Sequence, residues 1–168
     1  MSSTRKTSQD LTLHVLVVES EPAELNRTAA RLLAEGVDVS TCRTSVGLTE
    51  RVARIQPDVV LMDVLTRGLD TKELAQLAAL CTGGKPALVV HTKMLKSMLR
   101  RVVDPRAVYG FIPKSDDDAA FVRAFRDIGD RIVSDMPTAT FIPRLVGVMS
   151  GTYAVNPTAA PKARSAQK

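Results

Sequence analysis

Polar and charged side chains directly follow four short apolar runs of the chain. They are Glu19, Ser20 and Glu21 after "VLVV", Asp63 after "VVLM", Thr92 at the end of "ALVVHT", and Lys114 after "VYGFIP". Acids at the end of a buried run cost free energy unless they meet a cation or another partner. Carboxylates, a hydroxyl and an ammonium gathered at one place suit Mg²⁺ and a phosphoryl group. An aspartate can also accept the phosphoryl group covalently.

The elements that would bring these residues together alternate along the chain between strand and helix. The five apolar runs predict strands over Leu13–Val18, Val37–Thr41, Asp58–Asp63, Ala87–Thr92 and Val108–Pro113. Apolar residues at helical spacing follow each of them, the fourth set being Leu95, Met98, Leu99 and Val102, in a helix that ends near Asp104 and Pro105. Strict alternation predicts an α/β fold, (βα)5, with a doubly wound parallel sheet. Because parallel strands end at the same edge, the polar residues are expected to converge there.

Composition and charge exclude several classes of function. The chain has 168 residues, is 45% hydrophobic and has no apolar run long enough to cross a membrane, so we expect no membrane insertion. Its N-terminus lacks a signal-peptide pattern, which favours the cytoplasm and two reduced cysteines. Two histidines are too few for a zinc cluster. Between Leu11 and Ser134 there are 17 Lys and Arg against 16 Asp and Glu, so a nucleic-acid partner is not favoured.

The organisation predicted from these patterns is one domain with flanking segments. We expect a flexible N-terminal segment at 1–12, the (βα)5 domain at 13–134 and a C-terminal extension at 135–153. The extension carries an apolar patch from Phe141 to Met149, for which packing on the domain is favoured over binding a partner. Residues 154–168 are rich in Ala, Pro, Lys, Ser and Thr, which predicts a disordered tail.

The chain resembles the receiver domain of two-component response regulators over roughly Leu13 to Val133. The resemblance is carried by "VLVVESEP", "PDVVLMDVLTRGLD", "ALVVHT" and "YGFIPKS", whose order and spacing match together. It implies a flavodoxin-like sheet with strand order 2-1-3-4-5.

The resemblance also implies roles for individual residues. Asp63 corresponds to the phosphoacceptor, Thr92 and Phe111 to the switch pair, and Lys114 to the lysine that contacts the phosphoryl group. The implied Mg²⁺ ligands are Glu19, Asp63 and the backbone carbonyl of Leu65, with Glu21 as a further candidate. The basic residues of helix 4 belong to the common output surface of receivers; they are Lys96, Arg100 and Arg101.

The chain departs from the receiver pattern at the metal corner. Receivers usually have two adjacent acids after strand 1, whereas here Glu19 is followed by Ser20. A serine is a neutral and weaker ligand, and Glu19 is one methylene longer than the usual aspartate, which Mg²⁺ tolerates poorly. Ser20 also has a structural interpretation as the N-cap of the following helix. Ser115 and Arg67 stand where proline is usual, and Lys93 is bulkier than the small residues often found after the switch hydroxyl.

These features favour a single-domain, response-regulator-like signalling protein that acts through protein–protein interactions and is not an enzyme. Its phosphorylation on Asp63 is expected to be impaired, with weak or absent Mg²⁺ binding, and it is expected to be a monomer or weak homodimer. The alternative is a conventional phosphorelay receiver, phosphorylated on Asp63 by a histidine kinase with Mg²⁺. Less favoured are nucleic-acid binding through the basic tails and a small-molecule enzyme, for which "ESEPAE" lacks a glycine-rich phosphate loop.

Overall fold

The computed structural model describes residues 12–82 and 85–135, in which five strands alternate with five helices. The elements are β1 (His14–Val18), α1 (Pro22–Ala34), β2 (Asp38–Cys42), α2 (Leu48–Ile55), β3 (Val59–Met62), α3 (Thr71–Thr82), β4 (Ala87–Thr92), α4 (Lys96–Leu99), β5 (Val108–Pro113) and α5 (Asp118–Asp135). Apart from Thr12 and Asp135, the predicted N-terminal segment, C-terminal extension and tail lie outside the described residues. Within the described ranges, no helix is long and apolar enough to cross a membrane.

The five strands form one parallel sheet in the order β2-β1-β3-β4-β5, which confirms the predicted fold class. β1, β3 and β4 are buried along their whole length, as expected of strands covered by helices on both faces. β2 lies at one edge and is partly exposed. In this arrangement the residues that follow β1, β3, β4 and β5 lie along one edge of the sheet.

The sheet separates the core into two apolar layers, one on each face. One layer contains alternate strand residues such as Leu16, Val60 and Leu88 with side chains of α2, α3 and α4. The other contains residues of the opposite strand faces, such as Val89, with Phe121 of α5 and side chains of α1. The period-two alternation of strand side chains therefore places neighbouring residues of a strand in different layers.

The prediction for the fourth helix was wrong in its length. The helix ends at Leu99 after one turn, and successive turns then lead to β5. Leu99 is buried, whereas Leu95, Met98 and Val102 are 66%, 54% and 43% exposed. Three of the four spaced apolar residues are therefore on the surface and do not form the inner face of a full helix.

Candidate functional site

The ends of three strands hold the predicted site residues in place through backbone hydrogen bonds. The Glu19 N–H donates to the Cys42 carbonyl at 2.9 Å, and the Asp63 N–H donates to the Val18 carbonyl at 3.0 Å. The Lys114 N–H donates to the carbonyl of Thr92 at 3.0 Å. Each residue thus continues the sheet pairing by one step beyond its strand, so its side chain is fixed at the carboxyl edge.

The Lys114 ammonium lies between two carboxylates. Its Nζ donates to Asp63 Oδ2 at 2.5 Å and to Glu19 Oε2. The three side chains are 5%, 9% and 7% exposed for Lys114, Asp63 and Glu19 respectively. A buried carboxylate requires a partner of opposite charge, and here one cation serves two anions, which leaves this trio with a formal charge of −1.

The Asp63 carboxylate is also bound by other donors. Its Oδ1 accepts the Leu65 N–H at 2.9 Å. Burial acts to raise the pKa of Asp63, but hydrogen bonds from Lys114 and Thr92 outweigh it and hold the pKa below its ordinary value. For Lys114, burial acts to lower the pKa, and its bonds to Asp63 and Glu19 outweigh that and raise it. Asp63 is therefore ionised and Lys114 protonated at neutral pH.

The implied magnesium site has a small donor set. Glu19 Oε1 accepts the Glu21 N–H at 2.8 Å, while the second oxygen of Glu19 faces Lys114. Among the described residues, no group of three His, Cys, Asp or Glu side chains is arranged to hold a metal ion. Mg²⁺ favours carboxylate ligands and near-octahedral geometry, and an ammonium cannot be a ligand. In this structure Lys114 lies between the two carboxylates of this donor set.

Ser20 and Glu21 directly follow Glu19 in the chain, and the helix N-cap predicted at Ser20 lies at Glu21 instead. The N-cap of α1 is Glu21, with extended backbone dihedrals and no side-chain capping bond, so the capping hypothesis for Ser20 was wrong. Pro22 at the first helical position already lacks an N–H, which reduces the need for a cap. The Glu21 side chain is exposed, and its backbone N–H is what contacts Glu19.

The loop after Asp63 is anchored to the loop between β2 and α2. The Ser45 N–H and hydroxyl both donate to the Arg67 carbonyl at 3.1 Å, and Ser45 is fully buried. Gly68 has φ +83°, and a Cβ there would lie 2.7 Å from Cγ2 of Val46. Only glycine accommodates both this dihedral angle and this close approach. The loop that follows Asp63 is therefore held by the loop between β2 and α2.

Phe111 and the predicted output residues lie on a different part of the molecule. Phe111 is half-buried and lines a cavity of about 210 Å³ between α4 and β5, together with Lys96, Leu99 and Arg100. Lys96, Arg100 and Arg101 are exposed. We call Leu95, Lys96, Met98, Arg100, Arg101 and Val102 the α4 surface, and Glu19, Asp63, Thr92 and Lys114 the strand-end site.

Two arginines of α1 adjoin the site, and the sequence patterns did not indicate a role for them. Arg27 donates to the Asp116 side chain at 2.7 Å, to the Asp116 carbonyl at 2.9 Å and to Asp118 at 2.8 Å. Arg31, which is buried, also donates to Asp118. Their i, i+4 spacing on a helix was visible in the sequence, but nothing local pairs them with acids about 90 residues away.

Comparisons with known proteins agree with the fold of this chain. No protein-family model matches the sequence, and no curated protein does. Solved structures do match. The chemotaxis response regulator CheY4 of Vibrio cholerae is 12% identical with a TM-score of 0.59, over 70% of this chain and 98% of that one. The chain has the fold of a response-regulator receiver domain.

Two further receiver structures extend the likeness. The receiver domain of RstA from Klebsiella pneumoniae is 23% identical with a TM-score of 0.58, over 67% of this chain and 95% of that one. The receiver domain of a modulated diguanylate cyclase from Desulfovibrio desulfuricans is 19% identical with a TM-score of 0.61, over 74% and 99%. At these identities the likeness establishes the receiver fold, and the role of each site residue must be argued from its own contacts.

Proposed function

We propose that the chain is a non-enzymatic, cytoplasmic signalling protein of the response-regulator type that acts by binding another protein and whose Asp63 is phosphorylated poorly. The observation that carries this proposal is the position of Lys114, whose ammonium is shared by Glu19 and Asp63. In this arrangement the unmodified carboxylate already has its counter-charge.

Charge at the strand-end site supports the impaired reaction. Phosphorylation replaces the single negative charge of the Asp63 carboxylate by the roughly −1.5 to −2 of a phosphoryl group, so stabilising the product requires additional positive charge. Ser20 contributes no carboxylate, and at Glu19 and Asp63 Mg²⁺ would compete with the Lys114 ammonium for the carboxylate oxygens. We therefore propose that Mg²⁺ binds weakly or not at all.

The α4 surface supports a protein partner. Leu95 and Met98 are more than half exposed beside three basic side chains, and the adjoining cavity has apolar walls formed in part by Leu99 and Phe111. Exposed apolar side chains next to unbalanced charge are typical of interaction sites, and methionine adapts to varied partners. We propose that the protein is a monomer or weak homodimer that presents this surface to its partner.

The alternative is a conventional receiver that a histidine kinase phosphorylates on Asp63 with Mg²⁺. Burial acts to raise the pKa of Asp63, but hydrogen bonds from Lys114 and Thr92 keep it below its ordinary value. The lowered pKa favours the conventional receiver, because the attacking carboxylate must be ionised. In that reaction a carboxylate oxygen of Asp63 forms a bond to phosphorus while the donor's bond to phosphorus breaks.

Phosphate incorporation from acetyl phosphate with Mg²⁺ separates the two proposals. We expect faint labelling of the wild type on a phosphate-affinity gel and labelling at least roughly tenfold stronger for Ser20→Asp, because the added carboxylate restores a hard oxygen ligand. Ser97→Asp is the matched control, since it adds the same charge at an exposed position of α4 outside the site.

The outcomes are distinct. Strong labelling of the wild type that disappears in Asp63→Ala would establish the conventional receiver instead. Equal labelling of Ser20→Asp and Ser97→Asp would show that Ser20 does not limit the reaction. Labelling that survives in Asp63→Ala would place the acceptor elsewhere.

A further inference from the structure

Lys114 begins the connection between β5 and α5, and the backbone of that connection has little intrinsic rigidity. Residues 114–118 read Lys-Ser-Asp-Asp-Asp and contain no proline, and Ser115, Asp116 and Asp117 are exposed. Asp117 caps α5 by accepting the Ala120 N–H at 2.9 Å. A lysine side chain has many rotamers, so placing its ammonium between two buried carboxylates requires its backbone to be held.

Arg27 contacts this connection at three atoms. Its guanidinium donates to the side chain and to the backbone carbonyl of Asp116, and to the side chain of Asp118. A bond to a backbone carbonyl fixes the course of the chain, which a side-chain ion pair alone does not. The planar fork of arginine, with five donors, suits such simultaneous contacts.

Arg31 contacts the same connection from inside the molecule. Its side chain is 6% exposed, its guanidinium lies 5.1 Å from the centre of the Phe121 ring, and it donates to Asp118. Asp118 is the first residue of α5 and therefore receives bonds from both arginines. A buried arginine held by an aromatic ring and an aspartate is a fixed point to which the start of α5 is attached.

We propose that Arg27 and Arg31, here called the α1 clamp, are positioning residues that set the place of the Lys114 ammonium. They hold Asp116 and Asp118, two and four residues after Lys114, so that the backbone of Lys114 stays where its side chain reaches Asp63 and Glu19. The structural claim stands without the proposed function; its importance for signalling rests on that proposal.

The molecule contains a matched control for an ordinary pair between α1 and α5. Arg126 of α5 donates to Glu35, at the end of α1, at 2.7 Å, and is 65% exposed. This pair joins the same two helices, and among the described residues its hydrogen bonds do not reach the 114–118 connection. Arg27→Gln and Arg126→Gln each remove one ion pair between α1 and α5, and Arg27→Gln also removes the two contacts to Asp116 in the connection.

Amide hydrogen exchange of the full chain tests the proposal. The Lys114 N–H, bonded to the Thr92 carbonyl, is expected to exchange roughly fivefold faster in Arg27→Gln and more in Arg27→Gln with Arg31→Met, corrected for any change in global stability. Arg126→Gln is expected to change it less than twofold. Arg27→Lys keeps the charge but loses the fork, so it should recover only part of the protection.

A second readout reports on the ammonium itself. The ¹⁵Nζ–H signal of Lys114 should be observable in the wild type and in Arg126→Gln, because its protons are held by Glu19 and Asp63, and should broaden in Arg27→Gln. Equal exchange and equal ¹⁵Nζ signals in Arg27→Gln and Arg126→Gln would overturn the proposal. Neither readout involves phosphate, so failure here leaves the phosphate-incorporation result intact, and the reverse also holds.

Discussion

The strand-end site and the α4 surface both adjoin β4 and β5 but are built in opposite ways. In the site, Lys114, Asp63 and Glu19 are nearly buried and hydrogen-bonded to one another. On the α4 surface, apolar and basic side chains are exposed around a single turn of helix. The charged groups of the site are therefore paired within the chain, whereas the apolar side chains of the α4 surface are exposed to solvent. Changes in the site should therefore alter stability, and changes on the surface should alter binding with little effect on stability.

The largest expected effect follows from removing the cation of the site. Lys114→Met leaves two buried carboxylates without their counter-charge, and breaking a buried pair costs about 3–5 kcal/mol of unfolding free energy. Urea denaturation at pH 7 measures it. Lys96→Met on the α4 surface is the control and should change stability by less than about 0.5 kcal/mol.

Neutralising the whole trio tests whether charge is the reason. In Lys114→Met with Glu19→Gln and Asp63→Asn, no buried charge is left unpaired, so most of the lost stability should return. If the triple variant is as unstable as Lys114→Met, the three side chains stabilise the fold through their packing and not their charge. That result would contradict the interpretation of the site as a paired set of charges.

The second prediction concerns the two sides of α4. Leu99 is 6% exposed and packs in one core layer, so Leu99→Ala should cost about 2–4 kcal/mol of unfolding free energy. Met98→Ala, on the neighbouring exposed position, should change it by less than about 0.5 kcal/mol. A large loss in Met98→Ala would mean that the α4 surface is part of the folded core, which would contradict the proposal that it docks a partner.

The third prediction concerns the loop that carries Asp63. Gly68→Ala introduces both a left-handed dihedral for alanine and a contact with Val46, and should cost about 2 kcal/mol or more. Gly36→Ala is the matched control because its φ is +75° but its added Cβ would meet nothing within 4 Å. It should cost about 1 kcal/mol. Equal losses in the two variants would show that the exposed Val46 side chain moves aside at no cost, so that only the dihedral angle requires glycine at position 68.

The sequence predicted the parts of this molecule that depend on local pattern. Continuous apolar runs identified the buried strands, and strict alternation then placed Asp63, Thr92 and Lys114 at one edge. The fourth helix was predicted too long, because helical spacing does not show which side of a stripe faces the core. The α1 clamp could not be predicted, because its arginines and aspartates lie far apart in sequence and only the fold brings them together.

The smallest predicted effect arises just behind the site, at His91. Its Nδ1 lies 3.0 Å from the carbonyl of Ile112, and burial, with the positive charges of Lys114 and Arg31 nearby, lowers the pKa of His91 although Ile112 and Asp63 act to raise it. The unfolded state then binds more protons than the folded state below about pH 6.5. Stability should therefore fall as pH decreases below that value, by at most about 1.4 kcal/mol per pH unit for one group.

Urea denaturation between pH 7.5 and 5 measures this slope, and His91→Gln should reduce it because glutamine does not titrate. Asp63 acts in a separate pH window. Burial acts to raise its pKa, but hydrogen bonds from Lys114 and Thr92 outweigh burial and lower it, so its contribution to stability is lost only as pH falls below the ordinary range of an aspartate. An unchanged slope in His91→Gln would show that protonation of His91 does not distinguish the folded from the unfolded state. The slope between pH 7.5 and 5 would then come from other groups, and Asp63 would contribute only in its own, lower window.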